Sequence, residues 1–292
     1  MRGFLNAIPA EAEEWPASRP LAVLVNVMHE AWSDGAAPGS GPMGNPLRPG
    51  VVDEQAISWA RYGAATGARR LIDVMGDAGI TGTFFSSGLM AERVPDVLRE
   101  IVSAGHTLAA HGWAQEILPA YLEPAAEAVS IARCADALEN ASGVRPHGWI
   151  SPRVTPSQAT ASLLAAAGYA WHADAFDGDL PVAQKTRSGT IVAVPFSMEV
   201  NDLPLAIRYG NEPEAFPAIL ARILDGWHLI GAPRACINVT VHAHVFGRPA
   251  GAIAFRRALD LARRCDHAWL TSQTVLAAWT QGRAPTSTGI AA

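Results

Sequence analysis

The feature that most constrains this sequence is an apolar, β-branched segment that runs into two histidines. Residues Ile237–Val241 have the composition of a strand buried in a parallel sheet. His242 and His244 follow, before a turn at Gly247–Pro249. Residues two apart on a strand point to the same face. A strand continuing to His244 would therefore project both imidazoles from its C-terminal end, where α/β folds place their active sites.

Two further predicted strands also end in a histidine. Leu21–Val27 leads into Met28, His29 and Glu30, and Thr107–Ala110 leads into His111. One histidine at a strand end is as readily a structural residue as a functional one. Three such strands together favour a shared site that contains Glu30 and His111.

The rest of the chain alternates between helix and strand patterns. Predicted helices are Val52–Ala78, Pro95–Ala104, Pro124–Ser142, the segment from Pro213 to about Leu229, and Ala252–Arg264. This alternation predicts a parallel sheet with right-handed crossovers, closed or nearly closed into a barrel. We expect one barrel domain at 21–280, a lead-in at 1–20 and a disordered tail at 281–292. The segment Ala31–Gly50 has no periodicity and is predicted to form a loop that covers the site.

Composition argues against several classes of partner. The 292 residues carry a net charge of -5, and lysine occurs once, at Lys185. Nucleic acids and acidic membrane surfaces are therefore poor partners. The three cysteines show no CxxC spacing, which is typical of reduced thiols in a cytoplasmic protein. The sequence shows no apolar run of about 18 residues and no signal-peptide pattern.

Six segments resemble, in the same order, motifs of the polysaccharide deacetylase (NodB-homology) superfamily. They are Met28–Glu30, AHGWAQE at Ala110–Glu116, GWISPR at Gly148–Arg153, DGDLP at Asp177–Pro181, PFSMEVNDLP at Pro195–Pro204 and VHAHVFGRP at Val241–Pro249. The similarity is greatest to the branch of allantoinase-like and cyclic-imide-hydrolase-like proteins. It implies a single-domain α/β fold, an irregular (β/α)7-type barrel of the NodB-homology, glycoside hydrolase/deacetylase-like class. It also implies hydrolysis of a carbon–nitrogen bond.

The resemblance implies a divalent metal, with zinc as the first choice. The family's aspartate pair is replaced here by the single carboxylate of Glu30, and the second histidine of its H-x-x-x-H motif by Gln115. Glu30, His111 and, weakly, Gln115 are the candidate ligands, because an amide oxygen binds zinc less well than imidazole or carboxylate does. Metal-independent chemistry is the alternative, as is a site rebuilt from Glu30, His111 and a third donor.

The resemblance also suggests catalytic roles. His242 matches the family's late histidine and would protonate the leaving nitrogen, while Glu30 binds the metal or polarises water. Arg153 would orient a carboxylate, either Asp179 or Asp177.

Aromatic and histidine side chains near the motifs are candidates for contact with the substrate. A planar ring would suit such walls, although core packing would account for at least half of the aromatic residues. The candidates are Trp32, Trp113, Trp149, Phe176 and His244.

The predicted function is hydrolysis of a small cyclic or linear amide of the ureide, imide or hydantoin type. The expected partners are a small-molecule substrate and, by analogy with the family branch, further copies of the chain in a homo-oligomer. One alternative is an N-deacetylase of an N-acetylated sugar or glycan. Another is a catalytically silent binding protein on the same scaffold. The amidohydrolase superfamily also uses a His-x-His pair, but near the N-terminus, so we rank it low.

Overall fold

The computed structural model describes Trp15 and residues 19–38, 47–48, 50–231 and 234–282. Most of the predicted lead-in, the middle of the predicted covering loop and the predicted tail from residue 283 onward lie outside these described residues. The strands are β1 Leu21–His29, β2 Thr83–Ser86, β3 Thr107–Ala110, β4 Gly148–Trp149, β5 Trp171–Ala175, β6 Val182–Thr186, β7 Gly189–Pro195, β8 Val200–Asn201, β9 Ala235–His242 and β10 Ala268–Thr271.

The helices alternate with these strands over most of the chain. They are α1 Glu54–Tyr62, α2 Ala68–Ala78, α3 Met90–Arg93, α4 Pro95–Ser103, α5 Pro124–Ser142, α6 Thr160–Ala166, α7 Ala215–Gly226, α8 Pro249–Arg264 and α9 Gln273–Thr280. No helix in the described part of the chain is long and apolar enough to cross a membrane.

The strands form one curled sheet in the order β6-β7-β5-β4-β3-β2-β1-β9-β8, and β10 pairs with the first half of β1. All pairs are parallel except β6 with β7. The prediction of an irregular (β/α) barrel is confirmed. The antiparallel β6 was not predicted, because Val182–Thr186 is largely exposed and carries no apolar alternation.

Side chains, rather than strand pairing, bridge the open side of the barrel. Asn238 Nδ2, on β9, donates to the Pro195 carbonyl at the end of β7 across 3.0 Å. The Ser197 hydroxyl accepts from the Asn238 amide at 2.9 Å. These bonds hold β9 in place, and β9 carries His242.

Strand β1 lies at the centre of the structure, and all nine of its residues are buried. Alternate residues face two apolar layers. One layer packs against the helices and includes Val23, Leu71 and Phe255, while the other fills the barrel interior and includes Leu24 and Phe85. Successive side chains of β1 therefore point alternately to the helix layer and to the barrel interior, as the pleat of a strand requires.

The predicted helix Val52–Ala78 is divided by a π-helical segment at Gly63–Gly67. The glycines allow this segment to approach the loop after β9 very closely. A Cβ on Gly63 would lie 2.6 Å from the His244 backbone nitrogen, and one on Gly67 would lie 2.0 Å from the Ala243 oxygen. Single turns of π-helix occur often at functional sites, and this one supports the loop that carries His244.

Candidate active site

Glu30 lies at the centre of a group of histidines at the C-terminal end of the sheet. Its carboxylate follows β1, and its side chain is 9% exposed. Oε1 lies 3.3 Å from His111 Nε2 and 3.9 Å from His242 Nε2, and Oε2 lies 3.7 Å from His244 Nδ1. Segments from the start, middle and end of the chain thus meet at one carboxylate, as the sequence predicted for these four residues.

Asp202 orients His242. Asp202 Oδ1 lies 2.6 Å from His242 Nδ1, and Oδ2 accepts from the His242 backbone amide at 2.8 Å. Because the carboxylate accepts, Nδ1 carries the hydrogen and Nε2 is directed toward Glu30. Burial lowers the pKa of His242, but Asp202 and Glu30 outweigh it and raise that pKa above its ordinary value. His242 is therefore suited to hold a proton that it can deliver.

His111 is fixed by a backbone carbonyl. Its Nδ1 lies 3.0 Å from the oxygen of Ile150, which can only accept, so Nδ1 carries a hydrogen. A hydrogen bond from Nε2 to Glu30 therefore requires the imidazolium form. In that form His111 and Glu30 are a buried ion pair.

The His244 ring packs against two tryptophan rings. The rings of Trp59 and Trp32 meet it edge to face, at centroid distances of 4.7 and 5.5 Å. Burial lowers the pKa of His244 to about 4, so the ring is neutral near pH 7. Strand β9 ends at His242 and not at His244, which lies in the following turn. Both imidazoles still reach the site, with ring centroids 5.7 Å apart.

Glu30 is ionised despite its burial. Burial alone would raise its pKa, but the charge of His242, the hydrogen bond with His111 and further electrostatic contributions from His244 and His111 lower it to about 2. The carboxylate is therefore an acceptor at neutral pH and can hold a water molecule by its hydrogens.

The histidine of the first strand does not join this group. His29 Nε2 lies 2.8 Å from the Ala64 carbonyl and Nδ1 lies 3.1 Å from Ser86 Oγ, so both ring nitrogens are engaged. Burial lowers the pKa of His29 to about 4. The neutral ring links β1 to the π-helical segment, which is a structural role.

Three other predicted site residues are exposed at the surface. Arg153 and Phe176 are exposed, and the Phe176 ring packs on Phe196. Asp179 is exposed too, and its carbonyl accepts from Cys236 near the start of β9, at the opposite end of that strand from His242. The structure therefore does not bring Asp179 together with the catalytic candidates.

Two of the tryptophans predicted to contact the substrate are instead packing residues. Trp149 is 1% exposed, its Nε1 donates to Ser151, and its ring meets Tyr169. Trp113 is covered by the guanidinium of Arg133, which lies 3.4 Å from its ring centroid. Trp32 alone of the predicted aromatic walls contacts a site histidine in the described part of the chain.

The predicted zinc site does not match this arrangement. Across the described ranges, no group of three or more His, Cys, Asp or Glu side chains is placed to hold a metal ion. Gln115 stands where the family motif has its second histidine, and an amide oxygen is a weak ligand for zinc. The mechanism that fits these residues uses their side chains alone.

Comparison with known proteins agrees with this fold. A family model described as polysaccharide deacetylase matches residues 61–172. A crystal structure of a putative polysaccharide deacetylase from Mycobacterium smegmatis superposes with a TM-score of 0.78 and 26% identity, covering 97% of this chain and 99% of that one. These matches confirm the resemblance to the polysaccharide deacetylase superfamily that the sequence predicted.

Two further proteins are similar to this chain. A peptidoglycan deacetylase from Helicobacter pylori is 23% identical over 177 residues, which is 61% of this chain. That match spans 58% of the curated relative. A PuuE allantoinase shares the fold, with a TM-score of 0.79 and 23% identity over 94% of both chains.

The sequence reasoning missed two residues of the site. Asp202 lies within PFSMEVNDLP, a segment that resembles a family motif, and an acidic residue there was the available signal. Trp59 lies within the predicted helix Val52–Ala78, and no local signal distinguishes it from a core residue. Its contact with His244 follows from the position of α1 against the loop after β9.

Proposed function

We propose that this chain hydrolyses the carbon–nitrogen bond of a small cyclic or linear amide of the imide, hydantoin or ureide type. The observation that carries the proposal is the enclosed group of Glu30, His111 and His242, with Asp202 behind His242. Amide hydrolysis requires an activated water, stabilisation of the oxyanion and an acid for the leaving nitrogen. These side chains can supply all three.

In this mechanism, Glu30 accepts a proton from water while the oxygen attacks the amide carbon. Imidazolium His111 donates to the oxyanion through Nε2, and His242 Nε2 protonates the nitrogen as its bond to carbon breaks. After His242 has protonated the nitrogen, its Nε2 can accept the proton that Glu30 took from water. This transfer restores the starting protonation states of both groups.

The walls of the site favour a small substrate. The site carboxylate and imidazoles have side-chain exposures of 9% or less, and the rings of Trp32 and Trp59 stand beside His244. Aromatic edges around a few polar groups suit a small planar ring. This supports an imide or hydantoin over a polymer.

A substrate panel tests the proposal directly. Succinimide, glutarimide, hydantoin, allantoin and N-acetylglucosamine would be incubated with the full chain, and ring opening or acetate release would be measured. We expect turnover of at least one cyclic compound, and a fall of about 100-fold or more in kcat for His242→Ala. His228→Ala, on an exposed histidine, is the matched control and should keep full activity. Unchanged activity of His242→Ala would remove His242 from the proposed mechanism.

Treatment with a chelator tests the use of side chains alone. We expect turnover to survive dialysis against EDTA, because the site groups do not form a metal cluster in the described part of the chain. Loss of turnover that added Zn²⁺ restores would show that the site operates as a metal centre.

Deacetylation of an N-acetylated sugar is the second candidate. It is supported by the family match and by the similarity to a peptidoglycan deacetylase. Acetate release in the same panel, without ring opening, would favour it. Binding of panel members without any turnover would favour the silent binding protein.

A further inference from the structure

Gln115 is a buried amide beside the reaction site, and its orientation is fixed. It is 1% exposed. Nε2 donates to the backbone oxygen of His111 at 3.2 Å and to Ser87 Oγ at 3.1 Å. The His111 carbonyl can only accept, so the nitrogen of the amide must face it. The oxygen of the side chain therefore points away from these two partners.

That oxygen, Gln115 Oε1, has no hydrogen-bond partner among the described residues. Buried polar atoms in native proteins are almost always paired, and an unpaired one commonly marks a missing ligand or water. As a carbonyl oxygen, Oε1 can only accept. A hydrogen-bond donor or a cation can complete it, and the N–H of a substrate is such a donor.

The surroundings of Gln115 place it at the rim that carries the catalytic candidates. Its backbone amide donates to the carbonyl of Ala31, the residue after Glu30, at 2.9 Å. Its side chain binds the backbone of His111, whose ring contacts Glu30. Gln115 is thus hydrogen-bonded to Ala31, which follows Glu30 in the chain, and to His111, which contacts Glu30.

We infer that Gln115 is a specificity-determining residue whose Oε1 accepts a hydrogen bond from the N–H of the amide or imide that is cleaved. The inference rests on the proposed function for the position of the reacting bond. It narrows the substrate class to amides and imides whose nitrogen still carries a hydrogen. The histidine that the family motif places here would offer a donor or a metal ligand, whereas the glutamine oxygen offers only an acceptor.

Binding measurements on a matched pair of probes test this inference without requiring turnover. The affinity of the full chain for succinimide and for N-methylsuccinimide would be measured by calorimetry. We expect the wild-type chain to bind the N–H probe about tenfold more tightly. Gln115→Met keeps the size of the side chain but removes the acceptor, so the preference should fall to less than about twofold. Gln184→Met, on the edge strand β6, is the matched control and should keep the wild-type preference.

Each outcome bears on the inference. Equal binding of the two probes by the wild type, or an unchanged preference in Gln115→Met, would overturn it and assign Oε1 to a structural water or a metal. Equal binding of the two probes by the wild type overturns the inference even if Gln115→Met fails to fold. An N–H preference that depends on Gln115, without ring opening, supports the inference while the proposed hydrolysis fails. Ring opening without such a preference supports the proposed hydrolysis and overturns the inference about Gln115. If the wild type binds neither probe, both the proposed function and the inference are overturned.

Discussion

Asp202 determines which proton His242 can offer to a substrate. Its Oδ1 accepts the hydrogen of His242 Nδ1, with 2.6 Å between the nitrogen and the oxygen, so Nε2 faces Glu30. The charge of the carboxylate also helps to raise the pKa of His242. A group buried this completely acts through His242 and does not need to touch the substrate. It is a positioning residue.

We expect Asp202→Asn to lower kcat by about 100-fold or more, because the amide no longer fixes the tautomer. Removal of the negative charge also lowers the pKa of His242. The protonated acid is then lost at a lower pH, so the alkaline limb of the kcat profile should move to lower pH. Asp225→Asn, at an exposed position on α7, is the control. An alkaline limb that does not move would contradict the coupling.

His106 precedes β3, at the opposite end of that strand from His111, and affects stability. Burial lowers its pKa to about 4, and its Nδ1 accepts from the Gly82 amide at 3.2 Å. Between pH 6.5 and about 4 the unfolded chain binds a proton here that the folded chain does not. The free energy of unfolding should therefore decrease as the pH is lowered through this window, by at most about 3 kcal/mol from this residue.

Urea unfolding at pH 7 and pH 5 would measure this dependence. We expect His106→Asn to reduce it, because asparagine can still accept from Gly82 but does not titrate. His29 and His244 have similarly lowered pKa values, so part of the dependence should remain. An identical loss of stability in the variant would contradict the assignment to His106.

At the scale of elements, the π-helical segment Gly63–Gly67 sets the position of the loop after β9. We expect Gly67→Ala to destabilise the fold by about 1–3 kcal/mol, because its Cβ would lie 2.0 Å from the Ala243 oxygen and force the backbone to move. Activity should fall as well, since Ala243 separates His242 from His244.

Gly76→Ala provides the matched control for this change. Gly76 lies on α2, and a Cβ there would meet nothing within 4 Å. Alanine also favours helix over glycine, so this variant should be more stable by about 0.5–1 kcal/mol. Thermal unfolding of both variants would show the contrast, and equal effects would contradict the close-packing explanation.

These elements also show how far the sequence could predict the fold. The bounds of α5 and β3 are those expected from the sequence, because capping residues and apolar periodicity define them locally. The π-helical break at Gly63 in the predicted helix Val52–Ala78 was not predicted. Its cause is a contact with the loop after β9, which lies far along the chain.

The same distinction applies to the site. Strand ends and motif order predicted that Glu30, His111 and His242 would converge. They could not predict that Asp179 lies at the opposite end of β9 or that Trp149 is core, because both depend on how distant elements pack. The homo-oligomer expected from the family branch stays a prediction.

At the scale of the whole molecule, a buried polar network crosses the barrel interior. Asn26 Nδ2, on β1, donates to Asn238 at 2.8 Å and to Thr240 at 3.1 Å. Gln273, on α9, donates to Asn26 Oδ1 at 2.6 Å and accepts from Thr83 at 2.7 Å. The network joins two sheet neighbours of β1 to the last helix.

We expect Asn26→Leu to lower the free energy of unfolding by about 2–4 kcal/mol, because several buried partners lose their bonds at once. Urea denaturation would measure the change, with the exposed Asn140→Leu on α5 as control. A loss no larger than that of the control would mean that the interior groups find other partners.

The placement of β1 has a consequence for biosynthesis. This early strand lies between β9 on one side and β2 and β10 on the other. A growing polypeptide therefore exposes one edge of its central strand until the final segments emerge from the ribosome. Such distant pairing slows folding, so the nascent chain should depend on chaperones for longer than its size alone would suggest.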